Sequence, residues 1–237
     1  MTSYRLVKAS DSQDLARRAS QTMASHIDLA LDQRDRAQIA LSGGSTPAVA
    51  YGLLGQEHLP WDRVDVFLGD ERWVDAKDEA SNALMISKTL LAPGPGHQAA
   101  FHPVPTVELP SAEESAKAFA ALVEKACVGD PPVFDLMVLG LGDDGHTASL
   151  FPGTDAVAVN DCWATVGRGK GMERITLTAP VLSAARQVIF LVSGAGKQLA
   201  LQRLMDPGES PERTPAKLVQ PRTPILVLAD EAAAAGL

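Results

Sequence analysis

Residues 139–152, Leu-Gly-Leu-Gly-Asp-Asp-Gly-His-Thr-Ala-Ser-Leu-Phe-Pro, hold the densest potential chemistry in this chain. Gly140, Gly142 and Gly145 leave the backbone open to turns and to close approach of a ligand. Asp143, Asp144 and His146 are delivered into that opening, and an imidazole there can exchange protons near neutral pH. Gly140-x-Gly142-x-x-Gly145 also satisfies the dinucleotide fingerprint. It falls past mid-chain, however, sets two carboxylates where a pyrophosphate would lie, and meets Pro152 soon afterwards, so NAD binding is disfavoured. His26, His58, His97 and His102 default to structural or solvent roles. No pair of histidines has zinc-ligand spacing, and no metal site is expected.

Three other segments carry comparable chemistry. Ser42-Gly43-Gly44-Ser45-Thr46-Pro47 supplies backbone N–H groups, hydroxyls and a helix start, a combination that suits a phosphate. The same residues fit an N-cap with Pro47 at the first helical position, and both readings can hold. Ser193-Gly194-Ala195-Gly196-Lys197 resembles half a Walker motif, but Leu191 stands where a glycine belongs and Gln198 replaces the Ser/Thr. A nucleotide loop is therefore disfavoured, while Lys197 is either a point-charge partner for phosphate or a solvated lysine after a turn. Asp70-Glu71-Arg72-Trp73 is either a salt-bridged surface turn or a guanidinium, Arg72, aimed at phosphate with Asp70 near the reacting group. No Gly-x-Ser-x-Gly elbow is present and neither cysteine follows a Gly-rich turn, so a covalent serine or thiol mechanism has no signature.

These segments need elements to position them, and the hydrophobic pattern predicts those. Leu15, Ala19, Met23, Ile27 and Leu31 recur every four residues, which predicts an amphipathic helix from Asp14 to Asp32. Apolar runs at Ala37–Leu41, Val64–Leu68, Phe134–Leu139, Ile175–Leu177, Val188–Val192 and Ile225–Leu228 predict strands. Helices are expected opening at the Ser42–Pro47 segment and running through Leu54, around Asn82–Leu91, over Ala112–Cys127 and from Lys197 to about Met205, with Pro93–Gly96 and Asp206–Pro215 as turns. This alternation predicts an α/β fold with a mostly parallel sheet flanked by helices. Each chemistry-bearing segment follows a probable strand. In an open parallel sheet such ends share one edge, so the ligand site is expected at the C-terminal strand ends.

With 237 residues the chain can bury a sizeable core, and no linker is apparent, so residues 1–237 read as one domain. A net charge of −8 argues against nonspecific nucleic-acid binding and against anionic membranes. It does not exclude an anionic small substrate. Cys127 and Cys162 are far apart, and no signal peptide or bilayer-length apolar run is visible; a cytoplasmic protein is expected.

Taken together, the segments resemble the 6-phosphogluconolactonases, within a larger group shared with glucosamine-6-phosphate deaminase/isomerases. The likeness runs through Leu41–Pro47, Phe67–Arg72, Ser81-Asn82, Gly140–Pro152, Arg174–Thr178 and Ser193–Lys197, and is looser beyond Lys197. It implies a Rossmann-like α/β fold and hydrolysis of 6-phospho-D-glucono-1,5-lactone in the oxidative pentose phosphate pathway, without metal or organic cofactor, and it implies no obligate protein partner. The deaminase pattern places a glutamate where this chain has Phe151, which disfavours aldose–ketose isomerisation with ammonia release. Deaminase-like activity and non-catalytic sugar-phosphate binding are the alternatives. Under the resemblance, His146 is the base, with Asp144 or Asp70 holding its imidazole. Ser42, Gly43, Gly44, Ser45, Thr46, Arg72 and Lys197 take the phosphate, and Arg174 contributes.

Overall fold

Ten strands and six helices organise residues 2–237, which the computed structural model describes. In chain order they are β1 (Tyr4–Ala9), α1 (Ser12–Gln33), β2 (Ala37–Leu41), α2 (Ser45–Leu54), β3 (Val64–Leu68), β4 (Asp70–Arg72), α3 (Asn82–Lys88) and β5 (Ala100–Phe101). There follow α4 (Ala112–Ala126), β6 (Leu136–Gly140), β7 (Ala164–Gly169), β8 (Met172–Leu177), α5 (Ala179–Ala184), β9 (Gln187–Val192), α6 (Gln198–Met205) and β10 (Ile225–Asp230).

Seven strands form a sheet in the order β1-β10-β9-β6-β2-β3-β5, and every pairing in it is parallel. Its inner strands are apolar on both faces, as helix-covered parallel strands require: all five residues of β3 are buried, and so are all of β9 except Gln187. α1 covers the sheet with Leu15, Ala19, Met23, Ile27 and Leu31, all buried. It starts two residues earlier than the apolar period predicts, because the Asp11 carboxylate caps it by accepting from the N–H groups of Gln13 and Asp14. Buried side chains from both sheets and the helices belong to one hydrophobic cluster.

The chain leaves β2 toward β3 and β5, and leaves β6 in the opposite direction toward β9 and β10. β2 and β6 are neighbours, so the crevice beyond their C-terminal ends is the topological switch point, where ligands bind in folds of this kind.

A second, antiparallel sheet, β4-β8-β7, stands over that edge. Gly69 joins the two sheets: its N–H donates to Leu41 O at 2.9 Å and its carbonyl accepts from Leu177 N–H at 2.9 Å. The Gly69–Arg72 segment, expected as a loop, is therefore largely strand. The sequence pattern also misses β1, β5, β7 and α5, and runs α3 three residues too far. β7 escapes notice because Gly167 and Gly169 dilute it. Those glycines permit contact: a Cβ on Gly167 would lie 2.4 Å from Ser149 O, and one on Gly169 2.4 Å from the Phe151 ring. The second sheet is thus seated on the segment that carries His146. Among the described residues no helix is long and apolar enough to cross a membrane.

Candidate active site

The crevice holds a cleft of about 270 Å³ whose wall is contributed by separate strand ends. Ser42, Gly43 and Gly44 come from the end of β2, Asp70 and Arg72 from beyond β3, and Gly140, Gly142, His146 and Ala148 from the end of β6. Lys197 follows β9, Lys170 and Arg174 come from the β7–β8 hairpin, and Asn82 starts α3. Ser45 and Thr46 are not on this wall, since they form the first turn of α2. Asp144 is not on it either. Its carboxylate instead contacts the His146 imidazole.

His146 is the best-positioned titratable group of the cleft. Its Nδ1 lies 2.5 Å from Asp144 Oδ1, and the same oxygen accepts its backbone N–H at 3.0 Å. With Nδ1–H directed at a carboxylate, Nε2 keeps its lone pair as an acceptor. The loop is tied by Gly142 N–H to His146 O at 2.8 Å and by Gly145 N–H to Gly142 O at 3.0 Å. Gly145 has φ +87° and packs on Thr214, where a Cβ would meet Thr214 Cα at 3.0 Å. On the ring's other side stands Phe151, centroids 4.3 Å apart. Burial pushes the imidazole below its ordinary pKa, outweighing the Asp144 hydrogen bond and charge that act the other way. For Asp144, burial acts upward, but the hydrogen bonds from His146 prevail and lower its pKa.

Asp70 does not touch the imidazole by a hydrogen bond. Its Oδ2 accepts from Ser149 Oγ at 2.5 Å and lies 3.8 Å from Arg174 Nη1. Of the two carboxylates that the sequence offers as partners of His146, Asp144 is the one in place. Next to Asp70, the Glu71 carboxylate is buried and accepts the N–H groups of Arg72, Asn82 and Ala83 and the Ser81 hydroxyl. Burial raises its pKa. Glu71 thereby fixes the start of α3, and Asn82 Nδ2 donates to Asp70 O at 2.9 Å.

Arg72, Lys170, Arg174 and Lys197 outnumber Asp70 on the cleft wall, so the local charge is positive in a chain of net charge −8. Arg72 donates from Nη1 to Ala80 O, and its Nε finds no partner among the described residues. The same holds for Arg174 Nε and Ser42 Oγ, and all three atoms are buried. Burial draws the Arg174 guanidinium below its usual pKa. Buried donors of this kind are costly unless a ligand accepts from them. The Ser42 backbone is held by the Tyr51 hydroxyl, which accepts from its N–H and donates to its carbonyl, both at 3.1 Å. The loop before Lys197 is held by Asp230, which accepts from Ser193 Oγ and Gly194 N–H. Among the described residues no group of His, Cys, Asp and Glu is arranged to hold a metal.

Sequence reasoning misses Asn82 and Lys170 as wall residues. Ser81-Asn82 carries a signal in the N-cap serine. Lys170 carries one in the Gly169-Lys170-Gly171 turn.

Fold and cleft together define a doubly wound α/β protein with a cationic switch-point cleft and a carboxylate-held histidine. The chain belongs to the family of glucosamine-6-phosphate isomerases and 6-phosphogluconolactonases, whose family model matches residues 10–228. It is 40% identical to the 6-phosphogluconolactonase of Synechocystis, over 95% of both chains, and 34% identical to that of Mycobacterium leprae, again over 95% of both. The solved structure of 6-phosphogluconolactonase from Trypanosoma brucei superposes with a TM-score of 0.87 at 29% identity, covering 100% of both chains. A monomeric glucosamine-6-phosphate deaminase shares the fold at a TM-score of 0.81 and 18% identity.

Proposed function

We propose that this chain hydrolyses 6-phospho-D-glucono-1,5-lactone to 6-phospho-D-gluconate, as the names of its relatives suggest, in the cytoplasmic pentose phosphate pathway. The observation that carries the mechanism is the His146–Asp144 pair, whose arrangement leaves Nε2 to accept a proton at a cationic cleft. The substrate 6-phosphate takes the donors of Arg72, Arg174, Lys197 and the Ser42–Gly44 loop. That anchoring sets the C1 carbonyl at His146. Water adds its oxygen to C1 while Nε2 takes one of its protons, and the carbonyl π pair moves onto the carbonyl oxygen. As the tetrahedral species collapses, the C1–ring oxygen bond breaks and the imidazolium returns its proton to the departing oxygen. Asp144 keeps the ring oriented and stabilises its protonated form. Phe151, an apolar ring against the imidazole, supplies no acid for opening an aldose.

The test is hydrolysis of freshly generated lactone by the purified protein, followed by proton release against the buffer blank. Acceleration is expected, and none would remove this reading. Arg72→Ala is expected to raise KM about 10- to 100-fold while leaving kcat within a few-fold, since a charge-assisted contact is worth about 1.5–3 kcal/mol. Steady-state kinetics on the lactone check that split, and an unchanged KM would take Arg72 out of the phosphate subsite.

A further inference from the structure

The β7–β8 hairpin closes through only Lys170 and Gly171, with Gly169 paired to Met172 across the turn. Both turn residues have positive φ, 53° for Lys170 and 76° for Gly171. Two-residue hairpins with this backbone favour Asn, Asp or Gly at their first position, because the left-handed region strains any residue bearing an ordinary Cβ. A lysine there works against its own turn. Such strain at a cleft is an observation from which function can be inferred.

The hairpin also has no slack. Gly167 and Gly169 are pressed against Ser149 and Phe151, close enough that a Cβ on either would collide. This contact sets the tip over the cleft, and Lys170 lines the cleft wall. Its ammonium rests 3.0 Å from Asp143 Oδ1, with both side chains at least half exposed. An ion pair so exposed holds weakly and is readily exchanged for another acceptor. The phosphate end already has Arg72, Arg174, Lys197 and the Ser42–Gly44 loop. Lys170 instead sits by the loop of Asp143, Asp144 and His146, and its charge acts on both Asp144 and His146.

The geometry points to Lys170 as a catalytic residue whose ammonium leaves Asp143 and pairs with the lactone carbonyl oxygen as it becomes an oxyanion. This inference rests on the lactone hydrolysis proposed above. Adding water to C1 puts the former π pair on that oxygen, the proton goes to His146, and Lys170 keeps all its protons and supplies only charge. Positive charge at this end also favours the neutral form of the base.

The turn itself provides the discriminating variant. Lys170→Asn installs a residue the turn prefers while removing the ammonium, so stability and activity should move in opposite directions. The expected result is a melting temperature at or above that of the parent protein, with kcat lower by about 10-fold or more and KM little changed. Lys170→Gly should behave alike, guarding against a defect peculiar to asparagine, and Lys170→Arg should recover most of kcat. A kcat within threefold of the parent in both turn-favouring variants would overturn the proposal. So would a raised KM with kcat kept, which would make Lys170 a phosphate ligand. If the parent protein itself fails to hydrolyse the lactone, the functional reading falls first, before any variant is compared, and this inference with it.

Discussion

His146→Ala is expected to lower kcat for lactone hydrolysis by about 10²–10⁴-fold, the usual loss for a removed general base. The geometry makes the loss one of chemistry rather than binding. His146 lies at the end of β6, whereas the proposed phosphate ligands come mainly from the ends of β2, β3 and β9. KM should accordingly stay within a few-fold. The pH profile gives a second readout. The proposed mechanism needs the neutral imidazole, and burial holds the pKa of His146 below its ordinary 6.5. The value of kcat/KM should therefore be level at neutral pH and fall only as pH drops through that depressed value, where the imidazolium forms and can no longer accept a proton. In His146→Ala this acid limb should vanish along with most of the rate. A variant that keeps activity within a few-fold of the parent, or keeps the same acid limb, would sink the role of His146 as base.

Much of this site is legible in the sequence because its chemistry follows strands whose apolar runs are unmistakable. β2, β3, β6 and β9 announce themselves by burial on both faces, and a parallel sheet brings Ser42, Arg72, His146 and Lys197 to one edge. What stays hidden depends on tertiary contact. β1 is an edge strand with only Ala9 fully buried, so its apolar alternation is faint. β4 reads as a charged turn because Asp-Glu-Arg has no strand character. Its residues are buried for reasons no local pattern states, Glu71 against the start of α3 and Asp70 against Ser149. The carboxylate that holds His146 could not be chosen from spacing, since Asp144 is near in sequence while Asp70 arrives from another strand. Lys170 reaches the cleft only because two glycines of β7 let the hairpin settle on Ser149 and Phe151.

Gly142→Ala is the second large effect expected, and it tests how finely the imidazole must be placed. The φ of Gly142 lies outside the left-handed range, so alanine can take the backbone conformation. The difficulty lies in the space a side chain would need. A Cβ at this position would fall 2.0 Å from His146 Nδ1, 2.3 Å from Cε1 and 2.6 Å from Asp144 Oδ1. The backbone cannot yield easily, because Gly142 N–H is bonded to His146 O and Gly142 O to Gly145 N–H. Nor can the ring slide away without meeting Phe151. The His146–Asp144 contact must give, displacing the base by an ångström or more, and a misplacement of that size costs on the order of 10²-fold in rate. kcat should fall by about that factor with KM nearly kept. Because the damage runs through His146, the double variant Gly142→Ala/His146→Ala should be no slower than His146→Ala alone, the non-additivity expected of two residues acting on one group. Independent, multiplying losses in that cycle would mean that Gly142 serves the reaction by some route other than room for the imidazole.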